Sequence, residues 1–323
     1  MSLKQLRDVW NQLFFDKKPA EGIAIFRILL GLLTLFTFFQ DVLRLEDFWG
    51  PNAIQSVETG MKNYNFPILS IFQHFTMSYN LLYTFITVQF ISLICFTLGY
   101  KTRIFSILSF ILIVSFQQRN VNMLSSADLL LRILFMIVMF APTANVFSLD
   151  SLIARIKGKP LPRDVSPWAH RLIQIQIAVV YISTVIAKSK GITWLDGSAV
   201  YYSTRLIDLT RFPVPFLLDW KWFLILSTWL TLITELSLGT LIFIKEFKKP
   251  LILIGIIFHL GIEYMMSIPT FEIIMIIGLL TMFDLEDYRN YLGQFKNYSK
   301  KKYLTKLKEG KLKKIIERCF YDA

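Results

Sequence analysis

The sequence predicts an all-α fold: a polytopic transmembrane helical bundle of about eight spans with an amphipathic cytoplasmic C-terminal tail. Three observations predict it. Of the 323 residues, 54% are hydrophobic and the mean hydropathy is +0.50, which soluble domains rarely reach. The apolar residues gather in eight long runs rather than alternating. The basic residues fall in every second connection between those runs, as in a chain inserted with its basic loops inside.

Residues 1–20 are a basic segment carrying Lys4, Arg7, Lys17 and Lys18. The first run, 22–43, is longer than a signal-peptide core and no small-x-small cleavage site follows, so it reads as a retained helix. The second, 81–99, ends at Gly99 before Lys101 and Arg103. The third, 104–117, closes at "QQRN", and the fourth, 127–141, is stopped by Pro142. Both fall short of the roughly 20 residues of a perpendicular span, so they are tilted, extended into flanking polar residues, or partly re-entrant. The fifth to eighth runs are 168–188, 222–244, 250–266 and 270–283. They close a membrane domain over 21–285, followed by a basic tail, 286–323.

With eight spans, the N-terminus, the tail and three connections share one face: those with Lys101 and Arg103, with Arg155 to Arg163, and with Lys245 to Lys249. The positive-inside rule makes that face cytoplasmic, giving a multi-pass cell-membrane protein with both termini inside. This topology accounts for most of the net charge of +12, so nucleic acid is not required as a partner and membrane lipid is. On the outer face, "NYNFPILSIFQHF" at 63–75 reads as interfacial or as dipping back into the membrane, and "TRFPVPFLLDWKWF" at 210–223 puts tryptophans at headgroup depth. The stretch 296–323 reads as a basic amphipathic helix on the anionic inner leaflet or as a solvated tail. Cys95 lies in an apolar run and Cys319 in the tail, so neither a disulfide nor a cysteine zinc site is expected.

Ionisable groups at membrane depth are costly and mark candidate sites. Asp128 and Arg132 lie four apart on one helix face, as an internal ion pair or as pocket residues, and Arg119 with Asn120 can join them. Glu235 is near the middle of the sixth run and must be protonated, paired with a base of a neighbouring span, or facing a wet cavity. Arg27, toward the cytoplasmic side of the first run, is expected to snorkel. His259 and Glu263 share a face of the seventh run, as core hydrogen-bonding groups or as proton-handling and substrate-binding groups. Two such residues make no zinc site, and no metal is expected.

The stretch "VIAKSKGITWLDGSAVYY" at 185–202 closes the fifth run on the outer side with Lys188 and Lys190. A lysine at a span end ordinarily snorkels to the headgroups. The outer end, however, is where the positive-inside rule least expects one. A lysine desolvated in an apolar pocket gives up its charge readily and then serves as a base. Composition leaves both readings open.

Several short motifs, in order, resemble one family: "FRILLG" at 26–31, "RN" at 119–120, "DLLLR" at 128–132, "VYISTVIAKSKGITWLDGSAVYY" at 180–202, "ELS" at 235–237 and "HLGI" at 259–262. The most specific piece is Lys188-x-x-Gly191-x-x-Trp194-x-x-Gly197. Together they resemble the HTTM family, related to the membrane part of vitamin K-dependent gamma-carboxylase. The resemblance implies Lys188 as a catalytic base at the outer face and a reduced quinone as a candidate cofactor. His259 is the second catalytic candidate; Lys190, Trp194, Asp128, Arg132, Glu235, Glu263 and Arg119 are the candidate pocket residues. The chain is also similar to stand-alone bacterial members that work with a small partner protein to mature a secreted peptide toxin. Three functions follow as expectations: such a peptide-maturation factor, a quinone-linked carboxylase or epoxidase, or a transporter or receptor without chemistry.

Overall fold

The computed structural model describes residues 2–56, 58–59, 71–73, 78–291, 293–294 and 298. Most of 63–75, with His74, and most of the tail, with Cys319, lie outside them. The protein is an all-α helical membrane protein. Among the described residues the only sheet is a two-residue antiparallel pairing of Lys18–Pro19 with Asp164–Val165.

Helix α1, Leu3–Phe14, precedes eight helices that coincide with the eight apolar runs. These are α2 (Glu21–Val42), α3 (Tyr79–Leu98), α4 (Thr102–Arg119), α5 (Ser126–Val138), α6 (Trp168–Lys188), α7 (Lys221–Thr240), α8 (Lys245–Met265) and α9 (Pro269–Leu280). Among the described residues, four helices are long and apolar enough to cross a membrane: α2, α3, α6, and α7 with its 3-10 extension to Phe243.

Local chemistry explains the boundaries. Ser78 caps α3, and Gly99, with φ +69°, ends it in the left-handed conformation. α4 takes in the polar "QQR", the extension into flanking residues that its short apolar run called for. α8 starts five residues earlier than expected and carries Pro250 as its sixth residue, where the ring forfeits the backbone bond to the Glu246 carbonyl.

The helices pack as two neighbouring groups, α2–α5 and α6–α9, with α9 touching α2, α5, α6 and α8. Close approach depends on small residues: a Cβ on Gly255 of α8 would come within 2.6 Å of Leu279 of α9. At the basic end, the carboxylate of buried Glu21 takes Arg163 at 3.0 Å and Arg289 at 3.1 Å. Lys18–Glu286 and Lys248–Asp284 pairs, at 2.9 and 2.6 Å, join the same end. Arg27 does not snorkel. It is fully buried, and its two terminal nitrogens donate to the carbonyls of Thr143 and Phe147 at 2.5 Å each, because the turn after α5 folds beneath it.

Candidate functional site

α6 ends at Lys188, and the ammonium turns onto α7: Nζ lies 2.6 Å from Glu235 Oε1. On the Lys221–Phe243 span, Glu235 stands 14 residues from one end and eight from the other. The pair is therefore about 21 Å along that span at 1.5 Å per residue. Of the two readings left open for Lys188, headgroup anchor and pocket group, the contact supports the second: α6 ends against α7, short of the Lys221 end of that helix.

The half of α7 beyond Lys188 is flanked instead by two short helices, Ile192–Leu195 and Ala199–Ser203. The Thr228 hydroxyl fastens them, lying 2.8 Å from Gly197 O and accepting the Val200 N–H at 3.3 Å. Gly197, at φ +83°, lets the turn close onto Ile225; a Cβ there would sit 3.0 Å from that side chain. Asp196 accepts the hydroxyl and N–H of Ser198, and these two bonds hold its carboxyl below the usual range.

The turn delivers Trp194, whose ring centroid is 4.5 Å from Lys188 Nζ, a cation–π contact. Lys188 is thus held between a carboxylate and an indole. The second oxygen of Glu235 is buried without a hydrogen-bond partner among the described residues. A buried carboxylate oxygen left open is a ready acceptor for an incoming donor.

Two helical turns before Lys188, on the same helix, Tyr181 begins a second line. Its hydroxyl is 2.7 Å from His259 Nε2, and His259 Nδ1 is 2.5 Å from Glu272 Oε2. None of the three is more than 2% exposed. With Glu272 ionised, Nδ1 carries the proton and Nε2 accepts from the tyrosine. The line ties α6, α8 and α9 together.

Tyr181 and Glu272 escaped the sequence reading. Glu272 had a usable signal, since an acid inside the eighth apolar run obeys the same rule that singled out Glu235. Tyr181, one of 13 tyrosines, had none.

The remaining candidates go elsewhere. Glu263 shares α8 with His259 but pairs with Arg211 of the 189–220 connection at 2.6 Å. Lys190 is exposed. Asp128 accepts the Ser125 N–H and hydroxyl at 2.8 and 2.7 Å, capping α5. Gln117 bridges Asp128 and Arg132, donating to Asp128 Oδ1 at 3.3 Å and accepting Arg132 Nε at 3.1 Å. Arg119 is buried and donates to Gly50 O and Gln55 O at 2.8 and 3.0 Å. A cavity of about 30 Å³ lies beside this group, lined in part by Asp41, Gln89, Gln117 and Asp128. Among the described residues no cluster of three or more His, Cys, Asp or Glu could hold a metal.

The HTTM domain model matches residues 15–287, from before α2 to beyond α9. The chain belongs to the HTTM family. This HTTM protein is similar to sporulation-delaying protein SdpB of Bacillus subtilis strain 168, 29% identical over 115 residues, which is 34% of this chain and 35% of that protein. It is also similar to the uncharacterized protein YitO of the same organism, 27% identical over 134 residues, 40% of this chain and 43% of that protein. The matches span less than half the length of either relative. No solved structure matches this HTTM chain.

Proposed function

We propose that this HTTM protein is a factor for producing a secreted, toxin-like peptide at the cell membrane, with Lys188 as its base. The similarity to SdpB supports the context. The observation that carries the site is the 2.6 Å contact of Lys188 with Glu235 within the α7 span, with Trp194 over the ammonium. Passing one proton from Nζ to Oε1 turns the ion pair into an amine and a carboxylic acid. The amine then accepts a proton from the substrate, and the acid can return one to it. A low dielectric makes such a neutral pair accessible, because both charges vanish together. Peptide substrate and a small partner protein belong to this reading.

The test is Lys188→Met in cells that express the protein with its secreted precursor. Mature peptide, followed by mass spectrometry of the medium, is expected to fall at least tenfold, about 1.4 kcal/mol of barrier. The variant is expected to accumulate in the membrane like the parent. Full maturation by Lys188→Met sinks the base. Lys190→Ala is the matched control and retains maturation.

The Tyr181–His259–Glu272 line favours a second reading, a quinone-linked enzyme, since buried acid–base chains suit proton-coupled redox chemistry. Quinone in an organic extract of the purified protein would support it. Uptake of labelled peptide into proteoliposomes, with no change in peptide mass, would favour a transporter.

A further inference from the structure

Two helices at the basic end of the bundle carry apolar faces that no part of the described chain covers. On α1, Leu3, Leu6, Trp10 and Leu13 recur at spacings of three, seven and ten residues, with Val9 beside them, and all five are exposed. Leu3 is 87% exposed. On the short helix Leu149–Ile156, the stripe is Leu149, Leu152, Ile153 and Ile156, again all exposed, with Ile156 at 77%. In each helix the polar residues take the other side.

Both helices are held at one level, that of the span ends. The Phe14 carbonyl accepts the Ser166 hydroxyl at 2.8 Å, just before α6. The chain leaving α1 then pairs Lys18–Pro19 with Asp164–Val165 and enters α2 at Glu21. The second helix is tied to the turn between α3 and α4. Asp150 accepts the N–H groups of Lys101 and Thr102 at 2.8 Å each, and its own N–H donates to Gly99 O at 2.9 Å. Two separate amphipathic helices are therefore fastened where α2, α3, α4 and α6 begin or end.

Exposed basic residues accompany both stripes: Lys4 and Arg7 on α1, and Arg155, Lys157 and Lys159 on and after the second helix. We infer that these two helices lie in the plane of the membrane as an interfacial collar, their apolar faces in the acyl boundary and their basic residues on anionic lipid headgroups. The physics is that of monotopic amphipathic helices, where buried apolar area supplies attachment and positive charge selects anionic lipid. Depth argues for lipid over a protein partner: faces on two distant segments share the level at which the apolar spans stop.

The test uses the full chain in lipid nanodiscs, with Cys95→Ser and Cys319→Ser to clear the native thiols. Nitroxides are placed at Leu6→Cys and Leu152→Cys, with Val9→Cys and Ile153→Cys as second positions on the same faces and Gln12→Cys and Lys159→Cys as water-facing controls. On both helices the apolar-face labels are expected to be several-fold more accessible to oxygen than to a soluble nickel chelate, with the controls reversed. Adding phosphatidylglycerol to phosphatidylcholine discs is expected to drive the labels deeper. Replacing Arg155, Lys157 and Lys159 with Gln is expected to remove that dependence for the second helix. Equal nickel access at apolar-face and control labels overturns the proposal. Shielding of the apolar-face labels from both reagents also overturns it, in favour of a protein contact or a second copy of the chain.

Discussion

In the first group of helices, Arg119 is buried against the carbonyls of Gly50 and Gln55, and Arg27 against those of Thr143 and Phe147. In the second group, half-buried Lys188 pairs with Glu235, and buried His259 with Glu272. A carbonyl satisfies a cation and cannot take its proton; a carboxylate can. The first arrangement fixes charge and staples turns to helix ends. The second places proton donors beside proton acceptors across helix boundaries, which is the minimum equipment for acid–base chemistry. Buried charge therefore does not by itself mark the site in this protein; the nature of the partner does.

The largest effect is expected where a charge loses its only carboxylate. Glu235→Ala leaves Lys188 without a carboxylate and should cost about 3 kcal/mol, the low end for a buried pair because the Lys188 side chain stays 23% exposed, read as a lower melting temperature in detergent and less folded protein. The double change Lys188→Met with Glu235→Leu should recover most of that stability and none of the peptide maturation. If the double variant matured peptide, both groups of buried cations would be structural and the contrast would fail.

Arg119→Leu should come next. It strands two carbonyls and is expected to cost about 2–3 kcal/mol in thermal or denaturant unfolding. Maturation per folded molecule should stay unchanged, and a specific loss of activity would move Arg119 out of the structural class.

The smallest effect belongs to the Lys18–Glu286 pair, outside the spans. Lys18 holds the Glu286 carboxyl below the usual range. A lowered folded value means that the stabilisation is present above the unfolded value of about 4.3 and is lost as pH falls through the folded one. Because Glu286 is 55% exposed, the contribution is under about 1 kcal/mol. Glu286→Gln should therefore melt slightly below the parent at pH 7, and the difference should disappear in acid.

Much of the frame was legible in the residues. All eight apolar runs are helices, Gly99 ends one as expected, and the order of short motifs pointed to the family that the domain match established. Glu235 was correctly narrowed to a few fates, one of them a base from a neighbouring span, without the base being known. The candidate site was less legible, and Lys188 shows why. It closes an apolar run, and a run's end reads as a membrane surface. Nothing in the residues tells that the Lys188 side chain meets α7 at Glu235, 14 residues from the Lys221 end of that helix. Arg27 failed for the same reason, since the carbonyls that bury it come from more than a hundred positions away.

By itself, then, the sequence determined the helical class, the approximate extent of the eight apolar helices, the basic connections and the family, because hydropathy, capping and charge act over a few residues. The tertiary structure decided which polar groups meet. Lys188 and Glu235 are 47 residues apart, and Tyr181 and His259 are 78 apart. Their contact depends on the register at which α6, α7, α8 and α9 slide against one another. That register is set by close packing at positions such as Gly255, a sum over many small contacts that no single motif encodes.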